Sequence, residues 1–142
     1  MGIYNKFKTN RKLETEGIFY EGDTYKIKLA RAGGSNQAFN AAMERFNTEH
    51  GRAIKNNLLS NDKALELMAN AYADTVVLDW QTKVDDKWQQ GIEQPDGSIA
   101  PFNRENVVRI LIDVPDLFME LQAIASNHQL YLQSILDSAV KN

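Results

Sequence analysis

The sequence predicts a mainly α-helical domain with a small β component: a four-helix-type domain with an N-terminal β-hairpin and a second short hairpin around residues 88–102. Two patterns carry that expectation. From Phe39 onward, apolar residues recur at steps of three and four, the spacing that lines one face of a helix. Before it, Tyr25, Ile27 and Leu29 alternate with Lys26 and Lys28, the period of a strand with one buried face. With 142 residues the chain is long enough to bury one ordinary core without disulfide or metal staples.

Residues 1–16 are polar and basic in parts (Lys6, Lys8, Arg11, Lys12) and show no sustained period. They read as an N-terminal arm, ordered only by docking if at all, and residues 17–142 read as a single helical domain. Ile18-Phe19-Tyr20, a turn at Glu21-Gly22-Asp23, and Tyr25 to Leu29 form the first hairpin. Ala32-Gly33-Gly34-Ser35-Asn36 then punctuates the chain, since Ser and Asn accept hydrogen bonds from the free N–H groups of a starting helix. Phe39, Ala42, Met43, Phe46, Ala53 and Ile54 carry the first long helix to about Asn57, with a modest penalty at Gly51. Ser60-Asn61-Asp62 caps a second helix, whose apolar face runs from Leu65 through Tyr72, Val76 and Val77 to Trp80.

Asp85-Asp86 opens a polar stretch, and Gln94-Pro95-Asp96-Gly97-Ser98 is a turn flanked by Trp88 and Ile92 on one side and Ile99 and Phe102 on the other. Asn103 caps a helix with Val107, Val108, Ile110 and Leu111, which must stop or bend near Asp113-Val114-Pro115; Pro115 suits the first turn of the next one. In the last segment Leu117, Leu121, Ile124, His128, Tyr131 and Ile135 alternate steps of four and three, while Phe118, Ala125, Leu132 and Ala139 repeat every seven. This predicts one helix from Pro115 to about Val140 with two adjacent apolar stripes, more than one antiparallel neighbour needs. Either the helix is central to the bundle or one stripe meets a second subunit.

Reactive groups are sparse. With no cysteine there is no disulfide, thiol nucleophile or thiolate-held metal, and a reducing cytoplasm fits. No stretch approaches the roughly 20 apolar residues of a membrane span, and Met1 to Asn10 is too polar for a signal-peptide core. A net charge of −3 argues against non-specific nucleic-acid binding. His50 and His128 lack a second histidine at ligand spacing, and Asp79, Asp85, Asp86 and Glu93 lack the order of a calcium loop. Arg31 to Asn36 sits where a phosphate cradle would, after a strand and before a helix, without its glycine pattern. No nucleophile elbow is present. The expectation is a protein that binds other proteins: no enzyme, no cofactor and no metal.

Three segments together carry a resemblance: Lys28-Leu29-Ala30-Arg31-Ala32-Gly33-Gly34-Ser35-Asn36 leading to Phe39; Ala71-Tyr72-Ala73-Asp74-Thr75-Val76-Val77-Leu78-Asp79-Trp80; and Pro101-Phe102-Asn103 through Asp113-Val114-Pro115-Asp116-Leu117-Phe118. Over roughly residues 17 to 140 the chain resembles the tail assembly chaperones of bacteriophages with long flexible tails. That resemblance implies a small helical protein that coats the tape measure protein, keeps it soluble and helps recruit tail tube subunits. It also implies action in the cytoplasm of the infected host and absence from the finished virion. The doubled stripe makes Leu117, Phe118, Leu121, Tyr131 and Leu132 the expected partner-binding residues, and its width allows a homo-oligomer. Two alternatives stay open: a structural virion component such as a head-tail connector or tail terminator, and a small nucleic-acid-binding regulator using Arg31, Arg45, Arg52 and Lys55.

Overall fold

The computed structural model describes residues 2–141. Among them two short helices, α1 (Ile3–Phe7) and α2 (Arg11–Glu16), precede strands β1 (Ile18–Glu21) and β2 (Tyr25–Leu29). Two longer helices come next, α3 (Gln37–Lys55) and α4 (Asn61–Thr75), then strands β3 (Val77–Val84), β4 (Lys87–Gln90), β5 (Ile92–Glu93) and β6 (Ile99–Ala100). Helices α5 (Arg104–Asp113) and α6 (Pro115–Ala125), a 3-10 turn at His128–Tyr131 and helix α7 (Gln133–Lys141) complete the chain. The protein is mainly α with a β component, as the periodicities predict.

Helix starts fall where the capping residues put them. Asn36, Ser60 and Asn103 each accept a hydrogen bond from the backbone N–H three residues on. Pro115 opens α6, where its missing N–H is no loss. The hairpin predicted around residues 88–102 is present as β5 pairing antiparallel with β6 across the Gln94–Ser98 turn, although Trp88 lies outside it on β4.

The largest departure is at Val76 to Trp80, where the periodicity predicts that the helical face of α4 continues. Val77–Val84 is instead a strand, pairing antiparallel with β2 on one side and β4 on the other in a four-stranded sheet ordered β1-β2-β3-β4. Two β-branched residues in succession resist the helix at this point. From Asp79 the chain alternates, with Trp80 and Thr82 buried on the inner face and Asp79, Gln81 and Lys83 on the other, and a shift in the pairing with β2 at Lys28/Leu29 lets Val77 be buried as well. Asp85 and Asp86, at φ 51° and 64°, make the two-residue turn into β4, since both central residues of such a turn need positive φ and Asp tolerates it. The last helix also departs from expectation. It breaks after Ala125, and Asn127 caps the 3-10 turn that swings Tyr131 inward. Phe118 and Ala125 therefore belong to one helix and Ala139 to another, with Leu132 between them.

One hydrophobic cluster joins the inner face of the sheet (Ile27, Leu29, Val77, Trp80) to α4 (Ala69, Tyr72), α5 (Val107, Leu111) and α6 (Phe118, Leu121, Ala125). At its centre Tyr72 meets Phe118 edge to face at 5.1 Å and Phe39 at 5.5 Å, the arrangement ring quadrupoles favour.

The Ala30–Asn36 segment ties this cluster together through polar contacts. The N–H groups of Ala30, Arg31 and Ala32 donate to the carbonyls of Val76 (2.8 Å), Glu14 (2.9 Å) and Ala125 (2.9 Å). The Asn36 side chain donates to the carbonyls of Arg31 (2.9 Å) and Thr75 (2.8 Å) while capping α3. The buried Glu14 carboxylate accepts from the Arg31 guanidinium and from the Ser35 N–H at 3.3 Å. The loop placed like a phosphate cradle thus holds an anion from its own chain. Gly34, at φ +53°, is needed there twice over, because a Cβ would also collide with that carboxylate. Glu14 belongs to the stretch expected to be an arm. Within that stretch α1 and α2 are docked on the fold, and α2 supplies this charge.

Burial works to raise the Glu14 carboxyl, but Arg31 and Ser35 outweigh it and hold it below its ordinary value of 4.5. A depressed folded-state value contributes stability that is complete above 4.5 and is lost as pH falls through the lower folded value. Replacing Glu14 by Gln should cost about 2–4 kcal/mol at neutral pH, somewhat under a fully buried pair because Arg31 keeps contact with solvent. Urea denaturation across the acid range should show the wild-type and Glu14→Gln curves converging as pH drops below 4.5.

Candidate protein-binding surface

The five residues expected to bind a partner separate in the structure. Phe118, Leu121 and Tyr131 are fully buried; the first two are part of the central cluster, and Leu117 packs half-buried at its edge. Tyr131 also donates its hydroxyl to the Leu29 carbonyl at 3.1 Å, and burial pushes that phenol well above its usual value. These four hold the monomer together, which corrects the sequence expectation. The doubled stripe needed an unbroken helix, and the turn at Asn127 folds one part of it into the core. Leu132, outside the cluster, is half-buried beside α1.

Among the described residues, exposed apolar side chains gather on α1, while Leu58 and Met119 are exposed elsewhere in the fold. Ile3, Tyr4 and Phe7 are 72%, 74% and 58% exposed, and Ile135 on neighbouring α7 is 45% exposed. Scattered apolar side chains on a surface need no explanation, but three on a five-residue helix make a patch. The helix is held by other contacts. The Lys8 carbonyl accepts from the Gln133 N–H at 2.9 Å, Asn10 donates its backbone N–H to the Tyr131 carbonyl at 2.7 Å, and the Ser134 hydroxyl donates to the Asn5 carbonyl at 3.2 Å. Phe7 stacks on His128 with ring centres 5.6 Å apart, over an imidazole whose Nε2 is buried without a hydrogen-bond partner.

Two hollows adjoin α1. A shallow one of about 450 Å³ is lined by Ile3, Tyr4, Phe7 and Lys8. A second of about 620 Å³ lies against α7 and includes Asn5, Lys6, Leu132 and Ser134. The surface is therefore apolar with a basic margin, suited to the apolar face of a helix. Sequence reasoning missed it because residues 3–7 are too few to display a period, although Ile3 and Phe7 stand one helical turn apart.

Elsewhere the candidates from sequence do not converge. Asp79 accepts from the amides of Gln81 (2.8 Å) and Gln90 (2.9 Å) and from the Trp80 N–H (2.9 Å), while Asp85 and Asp86 form the β3–β4 turn. Among the described residues no three His, Asp or Glu side chains gather as metal ligands. His50 tilts against Phe46 on α3. Of the basic residues weighed for nucleic acid, Arg31 is spent on Glu14, away from Arg45, Arg52 and Lys55 on α3. No helix among the described residues is long and apolar enough to cross a membrane.

A model of a family described as YdaY prophage protein matches residues 34–142, from the loop before α3 to the end of the chain. The chain belongs to that family. The YdaY match places it among phage-derived proteins; α1, α2, β1 and β2 precede the matched segment. No curated protein and no solved structure matches it.

If Leu121 is core and α1 is free surface, the two should respond differently to truncation. Leu121→Ala should lower unfolding free energy by about 2–5 kcal/mol, and Ile3→Ser with Tyr4→Ser should change it by no more than about 0.5 kcal/mol. Urea unfolding of both variants checks this.

Proposed function

We propose that this YdaY family protein is a tail assembly chaperone that binds the tape measure protein, keeps it soluble and helps recruit tail tube subunits in the infected host cytoplasm. It acts by reversible protein binding, without a cofactor and without catalysis. The supporting observation is the solvent-facing apolar patch of Ile3, Tyr4 and Phe7, continued by Leu132 and Ile135 on the α7 side. A long tape measure chain exposes apolar helical faces that associate indiscriminately unless covered, and covering them takes apolar surface held ready in solution. Membership of a prophage family and the likeness of the Lys28–Phe39, Ala71–Trp80 and Pro101–Phe118 segments to tail assembly chaperones support the choice of client.

Co-expression with a tape measure fragment is the direct test. The wild type should keep the fragment soluble and co-purify with it, and Ile3→Glu/Tyr4→Glu should lose most of that capture while unfolding at the same temperature. Unchanged capture by the double variant, or stoichiometric amounts of the protein in purified particles, would overturn the proposal.

A further inference from the structure

The outer face of the four-stranded sheet carries a pattern unrelated to the apolar patch. Register places Phe19 opposite Lys28, Lys26 opposite Gln81, Gln81 opposite Gln90, and Lys83 opposite Trp88, so these side chains share the face turned away from the core. The Lys26 ammonium lies 4.9 Å from the Phe19 ring centre and 4.6 Å from that of Trp88, bridging two aromatics from opposite edge strands. Lys28 approaches Phe19 at 5.6 Å and Lys83 approaches Trp88 at 5.5 Å. None of these three lysines forms an ion pair among the described residues. Glu21 and Asp79 also belong to this face, in register opposite Lys26 and Lys28, and the Asp79 carboxylate accepts from the amides of Gln81 and Gln90.

Flat rings interleaved with cations across an open sheet are what a strand of unpaired bases requires. Bases stack on the rings, and the displaced ammonium groups take the phosphates. The geometry points to this face as a binding platform for single-stranded polynucleotide, with Phe19 and Trp88 as stacking residues and Lys26, Lys28 and Lys83 as phosphate contacts. An acidic peptide would use the lysines and leave both rings without a partner. A duplex hides its base faces and would gain only the charge contacts. The inference is independent of the chaperone reading, since it uses none of the α1 or α7 residues. It also differs from the arginine set weighed on sequence, which lies elsewhere in the fold.

Labelled dT and rU oligomers of about 12 nucleotides, a duplex of the same length and a polyglutamate peptide, titrated at low salt with anisotropy as readout, test it on the full chain. The wild type should bind a single strand better than duplex or peptide, and whichever of dT or rU binds more tightly names the natural polymer as DNA or RNA. Affinity should fall with salt at a log–log slope of about −2 for three phosphate contacts. Binding should quench Trp88, and Trp88→Ala should weaken it by ~10-fold; the other tryptophan, Trp80, is buried. Lys26→Gln should flatten the salt slope by about 0.7. Both changed side chains are on the outer face, and an unaltered unfolding midpoint confirms that each variant is intact. No saturable binding to either single strand, equal binding of duplex or peptide, or affinity unmoved by Trp88→Ala would overturn it.

Discussion

The fold depends on one buried negative charge. Glu14 enters the Ala30–Asn36 loop from α2, Arg31 neutralises it, and Ser35 gives it a backbone donor. The same loop makes main-chain bonds to the chain at Val76 and Ala125, while Asn36 fixes the start of α3 against the end of α4. Elements distant in sequence are thereby held in register with one another, and the hydrophobic cluster packs around them. A buried carboxylate without its partners would cost several kcal/mol, so the constraint is strict: the loop closes around Glu14 or the elements that meet at it lose their common anchor.

That dependence explains how the fold leaves apolar surface in solvent. The last part of the chain must give Tyr131 to the core, where its hydroxyl reaches Leu29, and the helix accordingly breaks at Asn127. Beyond that break α7 is left alongside α1 at the periphery, each tied by main-chain and polar bonds while Ile3, Tyr4, Phe7 and Ile135 stay in solvent. A stable interior and a separate, accessible patch coexist because different segments supply them. The sheet's outer face is a third region, polar and aromatic, with its own chemistry.

Much of the fold was legible wherever capping chemistry and period agreed. Asn36, Ser60, Asn103 and Pro115 each mark a helix start, and the Tyr25 to Leu29 alternation marks a strand. Reading failed where a helical spacing ran into a strand: Val76, Val77 and Trp80 continue the apolar face of α4, whereas the residues from Asp79 to Lys83 alternate, and pairing with β2 decided in favour of the strand. Periodicity likewise could not reveal that Asn127 ends one helix, because the apolar spacing runs on across the break. The candidate surface was obscured for the same reason: spacing shows that Phe118, Leu121 and Tyr131 are apolar and face one way, but only tertiary contacts show that they face inward. Glu14 was invisible as a core residue because nothing local distinguishes a carboxylate that will meet an arginine seventeen residues on.

Client binding, as proposed, uses the α1 and α7 periphery and leaves the interior undisturbed. Amide hydrogen exchange, followed with and without a tape measure fragment, addresses it most directly. The account predicts slowed exchange confined to residues 3–8 and 128–138, with the amides of α5 and α6 unchanged. Slowing centred on α6, or accelerated exchange across the Ala30–Asn36 loop, would mean that the interior opens to take the client and would contradict it.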